Sequence, residues 1–289
     1  MRSNGTLIFF YSLRMTKVLF TKKKVLVAYI LIYLSYHYYN PVKHNDFVSS
    51  MTNPEIKRNL HQLYQYIHQR YQVISTFDDQ ALGYYVHQNI LFISYRGSYS
   101  IRQAVLNFNP KLIPHPKGWG KIHQEYYSEY LETKTNVQAT IKRLLQSNPK
   151  INQIIFTGHS IGGCLAHMAC SDLMRELEFP TRPINGAVVA FNTPMFANKQ
   201  YFECAQTQMY LVQSNQDVIK FLPIGLYPLY VTMPDLQRDI ESYHYIEEDL
   251  MLSSPMKYTL QEKNIYLPFL LKNHETNHFL PLLIRWYVE

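Results

Sequence analysis

Apolar and polar positions follow two different periods along this chain of 289 residues. Short runs that are apolar at every position or every second one occupy 83–87, 90–95, 151–157, 186–191, 209–213 and 229–232, and turn-forming or charged residues bound them, which is the pattern of strands. Between them the period lengthens to that of a helix, over 54–74, 133–148 and 161–177. In the second of these, Val137, Ile141, Leu144 and Leu145 share one face, and Asn148-Pro149 stops the pattern. Helices interleaved with strands predict an α/β fold: a central, mostly parallel sheet flanked by helices. From about residue 54 there is no repeat, low-complexity tract or linker, so one domain is expected.

One stretch has no period. Residues 25–34 are apolar or aromatic throughout and trail into Ser35-Tyr36-His37-Tyr38-Tyr39, directly after Lys22, Lys23 and Lys24. The charge of the chain concentrates here. Of the net +7, residues 1–24 carry +6 through Arg2, Arg14, Lys17 and the three lysines, with no acid; the other 265 residues hold 22 basic and 21 acidic side chains. A balanced body leaves no basic groove for nucleic acid and excludes that class. A basic flank before an apolar run predicts membrane targeting, as an uncleaved single-pass signal-anchor with its lysines on the cytoplasmic side. The run is short against the roughly 20 residues a bilayer requires. Two other readings are a cleaved, secretory signal, starting from Met1 or Met15, and a hydrophobic N-terminal helix packed on the domain. The expected organisation is therefore residues 1–40 as basic segment and anchor or signal, and 41–289 as the folded domain. Cys164, Cys170 and Cys204 are too few and too unevenly placed for a disulfide framework.

The sharpest chemical feature is Gly158-His159-Ser160-Ile161-Gly162-Gly163, a G-x-S-x-G pentapeptide between a strand and a small-residue helix. That is the setting of a nucleophile elbow, in which a serine sits on a strained strand-to-helix turn and flanking glycines remove side chains that would clash. In this form the elbow resembles that of the class 3 (fungal-type) triacylglycerol lipases, members of the α/β-hydrolase superfamily. Arg96-Gly97-Ser98-Tyr99-Ser100-Ile101-Arg102, after the strand at 90–95, resembles the family's oxyanion loop and the start of its lid. Lys121-Ile122-His123, Asn192-Thr193-Pro194, Asp217-Val218 and Leu222-Pro223 extend the similarity, which runs from about residue 83 to 278. Two positions depart from it: Asn107 stands where the family has an acid, and Glu125 where it has a glycine.

A serine hydroxyl needs a histidine to take its proton and an acid to orient that histidine. Asp217 lies just past the strand at 209–213, at the strand end where α/β sheets keep their sites, and it matches the acid of the resembled family. The base is expected near the end of the domain, where His278 follows Asn277; His274 and His244 stay open because spacing alone does not choose. The resemblance assigns Ser160, Asp217 and His278 as catalytic triad, with Ser98 and the N–H of Ile161 as oxyanion hole. Ile101, Ala104, Val105 and Phe108 fall on one helical face, and their place after Arg-Gly-Ser implies an amphipathic lid.

The implied function is a serine-dependent carboxylic ester hydrolase, a lipase acting on acylglycerols or phospholipids at a membrane or lipid interface, with no cofactor and no metal. Nothing in the sequence identifies a protein partner. Two alternatives compete. His274-Glu275-Thr276-Asn277-His278 spells the H-E-x-x-H zinc signature, but Pro281 interrupts its helix and no third ligand follows. A non-catalytic, membrane-tethered lipase-like protein is the other.

Overall fold

The computed structural model describes residues 20–37, 54–77, 80–98, 109–177, 183–214 and 250–252. In chain order the elements are α1 (Lys22–His37), α2 (Pro54–His68), β1 (Gln72–Phe77), β2 (Gln80–His87), β3 (Ile90–Tyr95), β4 (Leu112–Pro114) and β5 (Lys121–His123). There follow α3 (Gln124–Ser147), β6 (Gln153–His159), α4 (Ile161–Glu176), β7 (Asn185–Phe191), α5 (Lys199–Ala205), β8 (Met209–Ser214) and β9 (Leu250–Leu252). Seven strands form one sheet in the order β1-β2-β3-β6-β7-β8-β9. From β3 to β9 neighbours run parallel, and β1 and β2 join antiparallel at one edge. A separate antiparallel pair, β4-β5, leads into α3.

The alternation along each strand divides two layers of core. Ile154 and Phe156 of β6, with Val188 and Ala190 of β7, face α3 and α4. Ile155, Val189, Phe191 and Val212 point the other way, onto α1 and α2. The parallel strands are therefore apolar on both sides, as continuous runs in the sequence require of a sheet covered on both faces.

The apolar run at the N-terminus belongs to this second layer. No residue from 25 to 34 is more than 5% exposed. Tyr29 meets Phe191 edge-on with ring centroids 5.1 Å apart, and Tyr33 meets Tyr64 of α2 at 6.2 Å. α1 lacks a polar face because it lies between the sheet and α2 and is covered all round. Its ends are fixed by polar contacts. Lys24 Nζ donates to Gln153 Oε1 at the start of β6 (3.1 Å), and the buried Ser35 Oγ donates to the Leu31 carbonyl (2.9 Å). Ser35 Oγ also lies 2.8 Å from the Tyr71 hydroxyl and 2.7 Å from Ser94 Oγ of β3. The helix thus runs parallel to the strands, ending at their C-terminal edge.

The structure gives the expected signal-anchor no support. Among the described residues no helix is long and apolar enough to cross a membrane, and α1 packs within the core of the domain instead of standing apart from it. The packed-helix reading fits its hydrophobicity.

Other boundaries moved for local reasons. The helix expected over 54–74 ends at His68, where the N–H groups of Arg70 and Tyr71 both close on the Ile67 carbonyl (3.0 and 2.8 Å), and Val73-Ile74 then enter β1 as β-branched residues favour. The helix expected from 133 starts at Gln124; its first turns bury Tyr126, Tyr127 and Tyr130, residues of modest helix propensity. β6 runs two residues beyond the expected end, to His159, because Gly158 and His159 pair with Ala190 and Phe191. β4, β5 and β9 were not anticipated, and the strand expected at 229–232 lies outside the described residues.

Burying one large apolar side chain contributes about 2 kcal/mol, and a whole domain nets only about 5–15 kcal/mol, so losing α1 should exceed the net stability. A chain starting at residue 41 is expected to be unfolded, while one starting at residue 20 should keep the circular dichroism spectrum and urea midpoint of the full chain. A cooperative transition from the 41–289 chain would contradict the place of α1 in the core.

Candidate active site

β6 is the middle strand of the sheet, and its turn into α4 carries Ser160. The Ser160 backbone stands at φ 57°, ψ −132°, a positive-φ conformation that non-glycine residues rarely occupy. Two backbone hydrogen bonds hold it there: its N–H donates to the Phe191 carbonyl at the end of β7 (2.9 Å), and its carbonyl accepts from Gly163 N–H (3.0 Å). The side chain does not cap the helix, and the residue is 7% exposed.

The three flanking glycines serve clearance, since none has positive φ. A Cβ on Gly158 would collide with the Gly162 carbonyl, one on Gly162 with the Arg96 carbonyl, and one on Gly163 with Thr193 Oγ1. The first turn of α4 therefore touches the ends of both neighbouring strands. On the β3 side, Tyr95 pairs with Gly158, and the chain continues through buried Arg96 and Gly97 to half-buried Ser98. The N-terminus of α4, with the positive end of its dipole, opens at the same place.

The β7 side has its own clamp. Asn192 takes a left-handed φ of 46°, which asparagine tolerates better than most residues, and its N–H donates to the Val212 carbonyl (2.9 Å). Gln213 Nε2 donates to the Thr193 carbonyl (3.3 Å), and Cys164 Sγ faces the Pro194 carbonyl (3.8 Å). Gln213 was not singled out in the sequence; a lone polar residue closing an apolar strand carries no signal there. His123, which adjoins no part of this turn in sequence, caps α3: its ring nitrogen accepts from Tyr126 N–H (3.4 Å).

β8 ends at Ser214, three residues before Asp217, at the same edge of the sheet. Asp217, His244, His274 and His278 lie outside the described residues, as do the lid positions Ile101, Ala104, Val105 and Phe108. The structure brings together Ser160, Ile161 and the loop leading to Ser98. Among the described residues no cluster of metal-ligating side chains occurs.

One aspartate after the serine does have a described position. Asp172 lies eleven residues along α4 from Ile161, about 17 Å by helical rise, and is only 2% exposed. Lys117 Nζ (3.0 Å), Lys134 Nζ (3.2 Å) and the Tyr130 hydroxyl (3.1 Å) donate to it, and His115 Nε2 lies at 3.8 Å. Both lysines also reach Glu176, at 2.9 and 2.8 Å. Asp172 therefore fastens the β4-β5 loop and α3 to α4, remote from Ser160. Burial alone would raise its pKa, but the hydrogen bond from Lys117 and the charges of both lysines outweigh that and hold the carboxyl below its ordinary value.

Residues 92–226 match the family Lipase (class 3). This segment, a little under half of the chain, is similar to the class 3 lipases. The secreted mono- and diacylglycerol lipase 1 of Fusarium solani is 28% identical over 152 residues, covering 52% of this chain and 44% of that protein. A lipase of Rhizomucor miehei is 32% identical over 93 residues, covering 32% of this chain and 25% of that one. The chain thus spans less than half the length of these curated relatives. Among solved structures, the lipase from Rhizopus microsporus var. chinensis superposes with a TM-score of 0.53 at 18% identity, over 70% of this chain and 69% of that chain. The Rhizomucor miehei lipase in its propeptide complex gives 0.52 at 17%, over 73% and 67%. At such identities the likeness is one of fold, the α/β-hydrolase fold.

The lowered pKa of Asp172 has a measurable consequence. Its contribution is present above the unfolded carboxylate range near pH 4 and is lost as pH falls through the lower folded value. Asp172→Asn is expected to reduce stability at pH 7 by about 3 kcal/mol, with the gap to the natural protein narrowing in urea titrations toward pH 2. A gap that stays constant with pH would contradict the charged role of Asp172.

Proposed function

We propose that this protein is a serine-dependent lipase that hydrolyses carboxylic esters of acylglycerols or phospholipids through an acyl-enzyme. The observation that carries the reading is the strained backbone of Ser160 at the β6-α4 turn, in a segment of class 3 lipase sequence. Strain of that kind persists only where surrounding structure enforces it, and it projects a short side chain out of the turn with no helix-capping duty.

In the proposed reaction His278 accepts the Ser160 proton as the oxygen attacks the ester carbonyl. Asp217 fixes the imidazole tautomer and stabilises the imidazolium. The oxyanion that forms is met by the Ile161 N–H and by Ser98, whose loop follows the strand end packed on Gly162. Collapse returns the proton from His278 to the departing alcohol and leaves the acyl group on Ser160. Water, activated by His278, then releases the acid and restores the enzyme. Ile101, Ala104, Val105 and Phe108 would cover the site until a lipid surface offers their apolar face a better partner. The Fusarium relative's name describes a secreted enzyme, and we infer that this protein likewise works outside the cell.

Ser160→Ala is expected to abolish turnover of a long-chain and a short-chain ester without changing the melting temperature. Ser98→Ala should lower kcat by about 100-fold, the cost of one oxyanion donor, with little effect on KM. Equal turnover by natural protein and Ser160→Ala would refute the serine mechanism.

A further inference from the structure

The solvent side of α2 is positively charged and takes no part in the site described above. Arg58, Gln62 and Tyr66 follow one another at four-residue steps and lead to Arg70 just past the helix end; Lys57, His61 and His68 lie alongside, and all seven are exposed. Glu55 is the only acid in the helix. Tyr66 is 43% exposed, and the Arg70 guanidinium lies 3.8 Å from its ring centroid while donating to the Tyr66 carbonyl (3.1 Å).

The positive surface continues onto the start of α1. Tyr66 and Arg70 are within electrostatic reach of Tyr85, whose hydroxyl lies 3.3 Å from His87 Nδ1, and His87 in turn feels the charge of Lys23. Lys22 and Lys23 are exposed there. The sequence that precedes them adds Arg2, Arg14 and Lys17 and no acid, and it joins the domain at this corner. Aromatic and cationic side chains along this helix, outnumbering its single acid, Glu55, match the headgroup layer of a bilayer bearing negative charge.

We propose that the outer face of α2, with the start of α1, is a peripheral docking surface for an anionic phospholipid bilayer. Its purpose, though not its test, rests on the reading of the substrate as a lipid ester. Attachment is by charge and interfacial tyrosine, and α1 stays in the core.

The test is flotation of the full chain with vesicles of phosphatidylcholine alone, or of phosphatidylcholine and phosphatidylglycerol in equal parts. Binding is expected only to the mixed vesicles, and should fall at least about tenfold when salt shortens the Debye length from about 10 to 3 Å. Lys23→Glu/Lys57→Glu/Arg58→Glu should lose at least about tenfold in vesicle affinity, with unchanged melting and unchanged turnover of a soluble short-chain ester. Equal binding to neutral vesicles, an unaltered affinity of the folded variant, or tighter binding to a duplex oligonucleotide than to mixed vesicles would each overturn the proposal. Lack of ester turnover by the natural protein would count against the hydrolase reading alone, because vesicle binding is read separately.

Discussion

Close approach at glycines, with no side chain of their own between, is the contact that shapes the Ser160 edge of this sheet. Gly162 lies against the carbonyl ends of Tyr95 and Arg96, Gly158 against the Gly162 backbone, and Gly163 against the Thr193 side chain. That approach brings the end of β3, the first turn of α4 and the loop after β7 to one point, and it forces the chain at Ser160 into a left-handed bend. A single methyl group at any of the three positions would push apart elements whose burial depends on their meeting. The hydrogen bond from Ser160 N–H to Phe191 then ties the bend to β7, and Gln213 ties the β7 loop to β8. Strained geometry here is a by-product of close packing, which is why it can persist in a buried turn.

The same economy governs the other face of the sheet. A helix apolar on every side would ordinarily be read as lipid-embedded, because most soluble helices keep one wet face. Here α2 lies over α1 and supplies the outer surface, amphipathic and cationic, so that α1 needs none. Ser35, Tyr71 and Ser94 place a small polar knot where the α1 end, the chain after α2 and β3 converge. Hydrophobicity and charge adjacent in sequence thus separate in space: the apolar run goes to the core, and the lysines before it stay at the surface.

What could be read from the chain follows from this division. The parallel strands β3, β6, β7 and β8 were legible because strands covered on both faces are continuous apolar runs, and the elbow because its glycines are spaced by the contact they permit. The destination of residues 25–34 was not legible, since bilayer and sheet face make the same demand on a side chain, and only the presence of α2 distinguishes them. The front of α3 was hidden because the residues that carry its buried stripe there, Tyr126, Tyr127 and Tyr130, have modest helix propensity. Asp172 was visible as an acid after the serine, yet its role depends on Lys117 and Lys134, which lie 55 and 38 residues earlier and meet it only in the fold. Gln213 belongs to the same category. Short β4, β5 and β9 leave too few residues for any period to emerge.

The central claim is that the bend at Ser160 presents an activated nucleophile. A fluorophosphonate ester reacts only with a serine whose proton is being withdrawn and whose developing oxyanion is supported. Treating the full-length protein with such a reagent, digesting it and locating the adduct by mass spectrometry tests both conditions at once. A stoichiometric adduct on the peptide containing Ser160, absent from the denatured protein, is the predicted result. An unmodified Ser160 in protein that remains folded, or an adduct confined to another serine, would contradict it.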